Sequence, residues 1–194
     1  MTRQALKVFD RLLSSGFPIT WTTIFIAWQR LPCVPGFNST LITSEQLHTY
    51  AMDQIGYSAP EHGPFIVELA FSNEQDTWTI LRCLQNLASD TPEEVQNAYR
   101  LWRWILLNEV VANLENAKSW IDLSARIGVW EDDFTTAVYC NLGDFRANFE
   151  FPSHGFAVTE DWQKADWFID MPSTLRLIEE HRHWLIQEAE FLHK

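Results

Sequence analysis

The sequence predicts an all-α fold, a compact multi-helix domain spanning residues 1–194 and closed by a long C-terminal helix. Three observations carry that expectation. Apolar residues recur at intervals of three and four along most of the chain. Several such segments open on a Thr or Ser with a Gln or Glu three residues on, and several stop at a glycine. Alternation of the strand kind is clearest in "DFRANFEFPSH", so one short extended segment at most is expected, near 145–158.

Taken in order, Leu6, Phe9, Leu12 and Leu13 gather on one face of a first helix that Gly16 ends. "TWTTIFIAWQRL" is expected as a second helix, although its threonines and isoleucines suit a strand as well. "LPCVPGFN" packs two prolines and a glycine into five residues and reads as a loop. In "ITSEQLHTYAMDQIG", Thr43 precedes Gln46 by three, the spacing of a capping box, and Gly56 marks the end. After the loop "YSAPEHGP" and the short apolar "FIVELAF", Ser72 with Gln75 predicts the cap of a helix through "EQDTWTILRCLQNLA".

Thr91, Pro92 and Glu94 agree as N-cap, first and third helical positions. The helix they open is apolar around much of its circumference, at Leu101, Trp102, Trp104, Ile105, Leu106, Leu107, Val110, Val111 and Leu114. A helix of that kind belongs at a centre, packed on several sides. "KSWIDLSARIG" and "WEDDFTTAVYCNLG" predict shorter helices ending at glycines, and "PSTLRLIEEHRHWLIQEAEFLHK" a long final one with Asp170 or Ser173 near its start.

Ten tryptophans and 13 phenylalanines let few positions fill a large interior, so a core without staples is within reach of the 194 residues. Charge is one-sided, with 14 Lys and Arg against 26 Asp and Glu, a formal −12. A field of that sign repels nucleic acid and anionic membrane and favours encounter with basic proteins. The expected partner is therefore a protein, not a nucleic acid or a membrane.

Cys33, Cys83 and Cys140 are odd in number and widely spaced, which fits a reducing compartment rather than a disulfide framework. The N-terminal "MTRQALKVFDRLLSSG" carries an acid and lacks both a continuous apolar run and a small-residue cleavage site, unlike a signal peptide. "ITWTTIFIAW" is far shorter than the roughly 20 residues a membrane span requires. A cytoplasmic protein is expected.

The cluster nearest to a catalytic or metal site lies in the final helix. Glu180 and His183 have the Glu-x-x-His spacing that puts both on one face, and Glu190 with His193 repeats it. Ten residues of helix turn through about 1000°, so the two pairs point some 80° apart and lie about 15 Å apart. They cannot converge on one ion within one helix, and His181 and His183, two residues apart, also diverge. There is no G-x-S-x-G, no phosphate-binding glycine loop, no H-E-x-x-H and no G-x-G-x-x-G. His48, His62 and His154 stand singly, and Cys33 has only Arg30 nearby to favour a thiolate. No catalytic residue, metal ligand or cofactor is assigned.

What remains is an acidic and aromatic surface. "VWEDDF" supplies Trp130, Glu131, Asp132 and Asp133, and "TEDWQKADWFID" supplies Glu160, Asp161, Trp162, Asp166 and Trp167. Runs of acids are commonly a solvated face. Tryptophan among carboxylates is also how a binding hot spot with an acidic rim is composed, and the acids raise the on-rate for a basic target. These nine residues are the expected partner-binding set.

Four stretches carry a resemblance: "ITW" near the start, "LITSEQLHTYAMDQI" as a helix of the L-x-S-x-x-x-x-x-Y-A kind, "ELA" at 68–70, and "DF...FP...MP" between 144 and 172. In these the chain resembles an uncharacterised family of small, mainly helical bacterial proteins linked to polymorphic-toxin immunity. The resemblance implies an antidote that binds a cognate toxin stoichiometrically and carries no catalytic residues. An acidic antidote can fill the basic cleft of a nuclease by presenting carboxylates where phosphates sit. A helical adaptor in a cytoplasmic complex, and a hydrolase or metal enzyme whose site assembles only in the fold, stand as alternatives.

Overall fold

The computed structural model describes residues 3–29, 41–57, 59–119, 122 and 171–193. The fold is all-α, with seven helices and no strand among the described residues: α1 (Arg3–Ser14), α2 (Trp21–Trp28), α3 (Ser44–Gln54), α4 (Gly63–Phe71), α5 (Thr77–Leu87), α6 (Pro92–Glu115) and α7 (Met171–Leu192). The chain divides into two compact units, the first holding α1 to α5 and the start of α6 up to Tyr99, the second the rest of α6 and α7.

In the first unit α4 packs on both α3 and α5, and α2 packs on α5. Val8, Phe9 and Leu12 bury the inner face of α1, whereas Leu13, expected with them, is 47% exposed. Gly16 follows with φ +79°, a left-handed turn that a glycine adopts without strain. α2 is helical despite its β-branched residues because Thr20 caps it, accepting from the Thr23 amide, and because two of its threonines are buried and one of them is tied. Thr22 donates to Glu94 at 3.0 Å and accepts from the Ser89 amide at 2.9 Å, which pins α2 to the α5–α6 turn. Leu41 returns the chain to the core by donating its amide to the Ala27 carbonyl.

The α3 capping box closes as the spacing of Thr43 and Gln46 demands, with both reciprocal bonds formed. The cap of α5 differs from expectation. Asp76, not Ser72, is its N-cap, taking both the amide and the hydroxyl of Thr79. Ser72 lies five residues before Thr77, the first residue of α5, too far back to reach the orphan amides of the first turn. Ser72 instead ends α4, its hydroxyl donating to the Leu69 carbonyl. At the start of α6 the Thr91 amide goes to Ser89 Oγ, and Glu94 reaches Thr22 rather than back to its own cap.

The second unit is a seam between α6 and α7. Leu101, Trp102, Ile105, Leu106, Leu107, Val111 and Leu114 are buried, as the apolar circumference predicts, and Arg103 is buried with them. From α7, Ile178, His181, Trp184, Leu185 and Glu188 are buried. Trp104 is only half-buried, and its indole N–H donates to the Leu185 carbonyl at 2.8 Å. Arg100 grips Glu188 through two nitrogens at 2.5 and 2.6 Å while its guanidinium lies 3.4 Å from the centroid of the Phe191 ring. Arg182 and Glu115 form a second, more exposed ion pair between the same helices.

The short helices expected in "KSWIDLSARIG" and "WEDDFTTAVYCNLG", and the extended segment near 145–158, lie outside the described residues apart from Lys118, Ser119 and Asp122. Among the described residues no helix is long and apolar enough to cross a membrane.

Candidate functional site

Three acids and two aromatic rings meet between α1 and α3. Along α3, Glu45, Thr49 and Asp53 stand at intervals of four, and Gln46, Tyr50 and Gln54 repeat the interval one position round, so two adjacent stripes share one side of the helix. α1 opposes them with Phe9, Asp10 and Leu13, and the groove between has a volume of about 530 Å³. Phe9 is 2% and Tyr50 9% exposed, which makes them the floor, while Asp10, Glu45 and Asp53 are exposed at the rim. Among the described residues no Lys, Arg or His lines the groove.

The floor is held by ring contacts. Phe9 of α1 meets Tyr50 edge to face at 6.2 Å, and Trp21 of α2 meets the same ring edge to face at 5.3 Å. Tyr50 thereby joins three helices. Its hydroxyl forms no hydrogen bond among the described residues, and burial alone holds its pKa above the usual tyrosine value. Glu45 sits in the first turn of α3, where the helix dipole favours a carboxylate. Asp53 sits in the last turn, where the dipole disfavours one, and no basic residue shares that turn.

A second surface lies on the outer faces of α4 and α5. Val67 and Phe71 are 45% and 70% exposed and four residues apart, and Trp78 is 69% exposed. Arg82 lies 5.5 Å from the Trp78 ring centroid and pairs with Glu68. Outward aromatics mark a partner site where they join in one contiguous apolar patch.

Among the described residues, neither His48 nor His183 is placed as the base of a catalytic pair. His48 Nε2 is 3.0 Å from Ser72 Oγ, but that hydroxyl donates to the Leu69 carbonyl and is left to accept from the ring. The polarity is opposite to that of a base activating a nucleophile. In α7, His183 is exposed with Nε2 3.0 Å from Gln187, His193 and Glu190 are exposed, and His181 is buried. Among the described residues no three His, Cys, Asp or Glu side chains gather where they could hold a metal ion.

The nine residues chosen from sequence, Trp130, Glu131, Asp132, Asp133, Glu160, Asp161, Trp162, Asp166 and Trp167, lie outside the described residues, as do Cys33 and Cys140. The groove was missed. Its sequence signal is the polar stripe Glu45, Thr49 and Asp53, which shows one helical face and not which helix stands across from it.

Residues 9–189 match the family model described as an uncharacterized protein conserved in bacteria (DUF2247). The chain belongs to that family. The matched span includes every residue of the groove and of the α4–α5 surface, so both lie within the family's own domain. No curated protein and no solved structure matches the chain.

Proposed function

We propose that this member of the family is a non-enzymatic binding protein of the bacterial cytoplasm. It neutralises a basic protein partner, a toxin of the nuclease kind, by placing carboxylates in the partner's cationic cleft. The observation that carries the proposal is the α1–α3 groove, where three carboxylates surround an aromatic floor and, among the described residues, no basic side chain lines it. The formal charge of −12 adds long-range attraction for a basic partner, and the resemblance to immunity proteins supplies the role. The acids and tryptophans of 130–133 and 160–167 extend the same kind of surface in this proposal.

The test is to capture the partner from the native bacterium, purify it, and titrate its activity with this chain. Inhibition that saturates at one equivalent supports the proposal, and loss of partner activity at a small fraction of an equivalent refutes it in favour of an enzyme. The exposed Phe71 and Trp78 favour a second reading, an adaptor in a cytoplasmic complex. An adaptor joins two proteins without inhibiting either, so the same titration separates the two.

A further inference from the structure

Exposed apolar side chains of the first unit gather on one face of three neighbouring helices, a feature independent of the basic partner proposed above. We infer that this outer face of α3, α4 and α5 is where two copies of the chain join about a twofold axis, with Phe71 and Trp78 at its centre.

Bonds between the helices fix which residues stand side by side. α4 packs on both α3 and α5 and so runs between them. On the α3 side, His48 Nε2 lies 3.0 Å from Ser72 Oγ and Ser44 donates to the Glu74 carbonyl, which sets the start of α3 beside the end of α4. The two helices therefore run antiparallel, and Met52, one turn on from His48, stands level with Val67 and Glu68, about one turn back from Ser72. On the α5 side, Arg82 pairs with Glu68, which puts Trp78, one turn back along α5, level with Phe71, one turn on along α4. Met52 is 46% exposed, Val67 45%, Phe71 70% and Trp78 69%, and Ile55, on the His48 side of α3, is 37% exposed. The five form one patch across three helices, unlike the single apolar residues scattered over an ordinary surface.

Area and charge select a second copy as the occupant. Two rings and three smaller side chains exposed to that degree present about 400 Å² of apolar surface. A standard interface buries about 800 Å² on each partner, and between identical subunits about 65% of that is apolar, so the patch supplies most of what a stable dimer needs. Among the described residues, the charged side chains within the patch are Glu68 and Arg82. They pair with each other, and Arg82 rests 5.5 Å from the Trp78 centroid. Long-range attraction for a basic partner has no focus on so neutral a face, whereas an identical face covers it without stranding a charge. A twofold contact also closes at two copies, and tryptophan and phenylalanine are enriched in such interfaces.

The test is sedimentation equilibrium of the full chain from about 1 μM to about 1 mM, at low and high salt. A single monomer–dimer equilibrium is expected, tightening as salt screens the repulsion between two copies of charge −12. Phe71→Glu and Trp78→Glu should each raise the dissociation constant at least about thirtyfold, the size of a hot-spot loss. Ile186→Glu adds the same charge at a 56% exposed position of α7 and should leave the constant nearly unchanged. At concentrations where the parent is monomeric, all three variants should melt with it, since each replaced side chain is more than half exposed. In the parent itself, amide shifts at Met52, Val67, Phe71 and Trp78 should move with protein concentration, a readout that requires no variant to fold.

A chain that stays monomeric throughout overturns the assignment, and is the outcome expected if a different protein occupies the face. Assembly that grows past the dimer, a dimer untouched by both Phe71→Glu and Trp78→Glu, or concentration-dependent shifts confined to other residues overturns it too. So does a dimer that weakens as salt rises, because opposite charges and not this neutral face then hold it. The direction of the salt effect also separates the dimer from binding of a basic partner, which salt weakens.

Discussion

Replacing Glu188 by alanine should be among the most damaging single changes in the second unit. Its carboxylate accepts two hydrogen bonds from Arg100 and is 7% exposed, against 16% for Arg100. Alanine leaves the guanidinium over Phe191 without the carboxylate that takes two of its hydrogen bonds. Breaking a buried pair from one side costs about 3–5 kcal/mol, and the residual exposure of Arg100 places the expected loss near the lower bound, about 3 kcal/mol. The Arg182–Glu115 pair joins the same two helices but is 49% and 29% exposed, so Glu115→Gln should cost at most about 1 kcal/mol. Replacing Arg100 and Glu188 together by Met and Leu should recover most of the loss, since two apolar side chains need no mutual desolvation. Urea unfolding followed by tryptophan fluorescence measures all four proteins, with a shared slope as the check that only stability has changed. Equal costs for Glu188→Ala and Glu115→Gln would show that burial is not what decides the strength of these pairs.

Other outcomes follow from the same structure. Trp104→Phe should cost about 1 kcal/mol, the bond to the Leu185 carbonyl being lost while half the ring remains packed; a loss above about 3 kcal/mol would mean the side chain is wholly buried. Asp76 has its pKa lowered, first by the Thr79 hydroxyl and then by the Thr79 amide, so its support of α5 is complete above the ordinary carboxylate pKa and lost as pH falls through the lowered value. Asp76→Ala should therefore melt lower than the parent at pH 7 and converge with it in acid. Cys83 is fully buried, and burial, with the Glu68 charge beside it, pushes its thiol up to about 11. In a Cys33→Ser, Cys140→Ser background it should resist a thiol reagent at pH 8 until denaturant is added, and stability should fall as pH rises from the ordinary thiol range towards 11. Prompt labelling of the folded protein would contradict that.

The parts of the fold legible in the sequence are those decided within a few residues. Thr43 and Gln46 close their box because both partners lie in one turn, and seven of the apolar residues from Leu101 to Leu114 are buried because no orientation of that helix keeps so wide an apolar face out of the core. The cap of α5 differs from the expected Ser72 because the spacing of Ser72 and Gln75 does not show that α4 runs to Phe71 and that α5 starts only at Thr77. Leu13 was misread because the rule that gathers apolar residues on one face takes no account of a groove opening beside that face. The candidate site was illegible for a related reason. Asp10 and Glu45 are 35 residues apart, and nothing local says that α1 and α3 face each other. Arg100 and Glu188, 88 residues apart, are hidden in the same way.

The central claim is that carboxylates of this chain draw in and hold a basic protein. The measurement that tests it most directly is the association rate of the captured partner with the parent and with the Asp10→Asn, Glu45→Gln, Asp53→Asn triple variant, across a range of salt. Exposed charges act over a screening length of about 8 Å at physiological ionic strength. The account predicts a parent rate that falls steeply as salt rises, a slower and less salt-dependent variant, and convergence of the two at high salt. Identical rates for parent and variant, unaffected by salt, would contradict it.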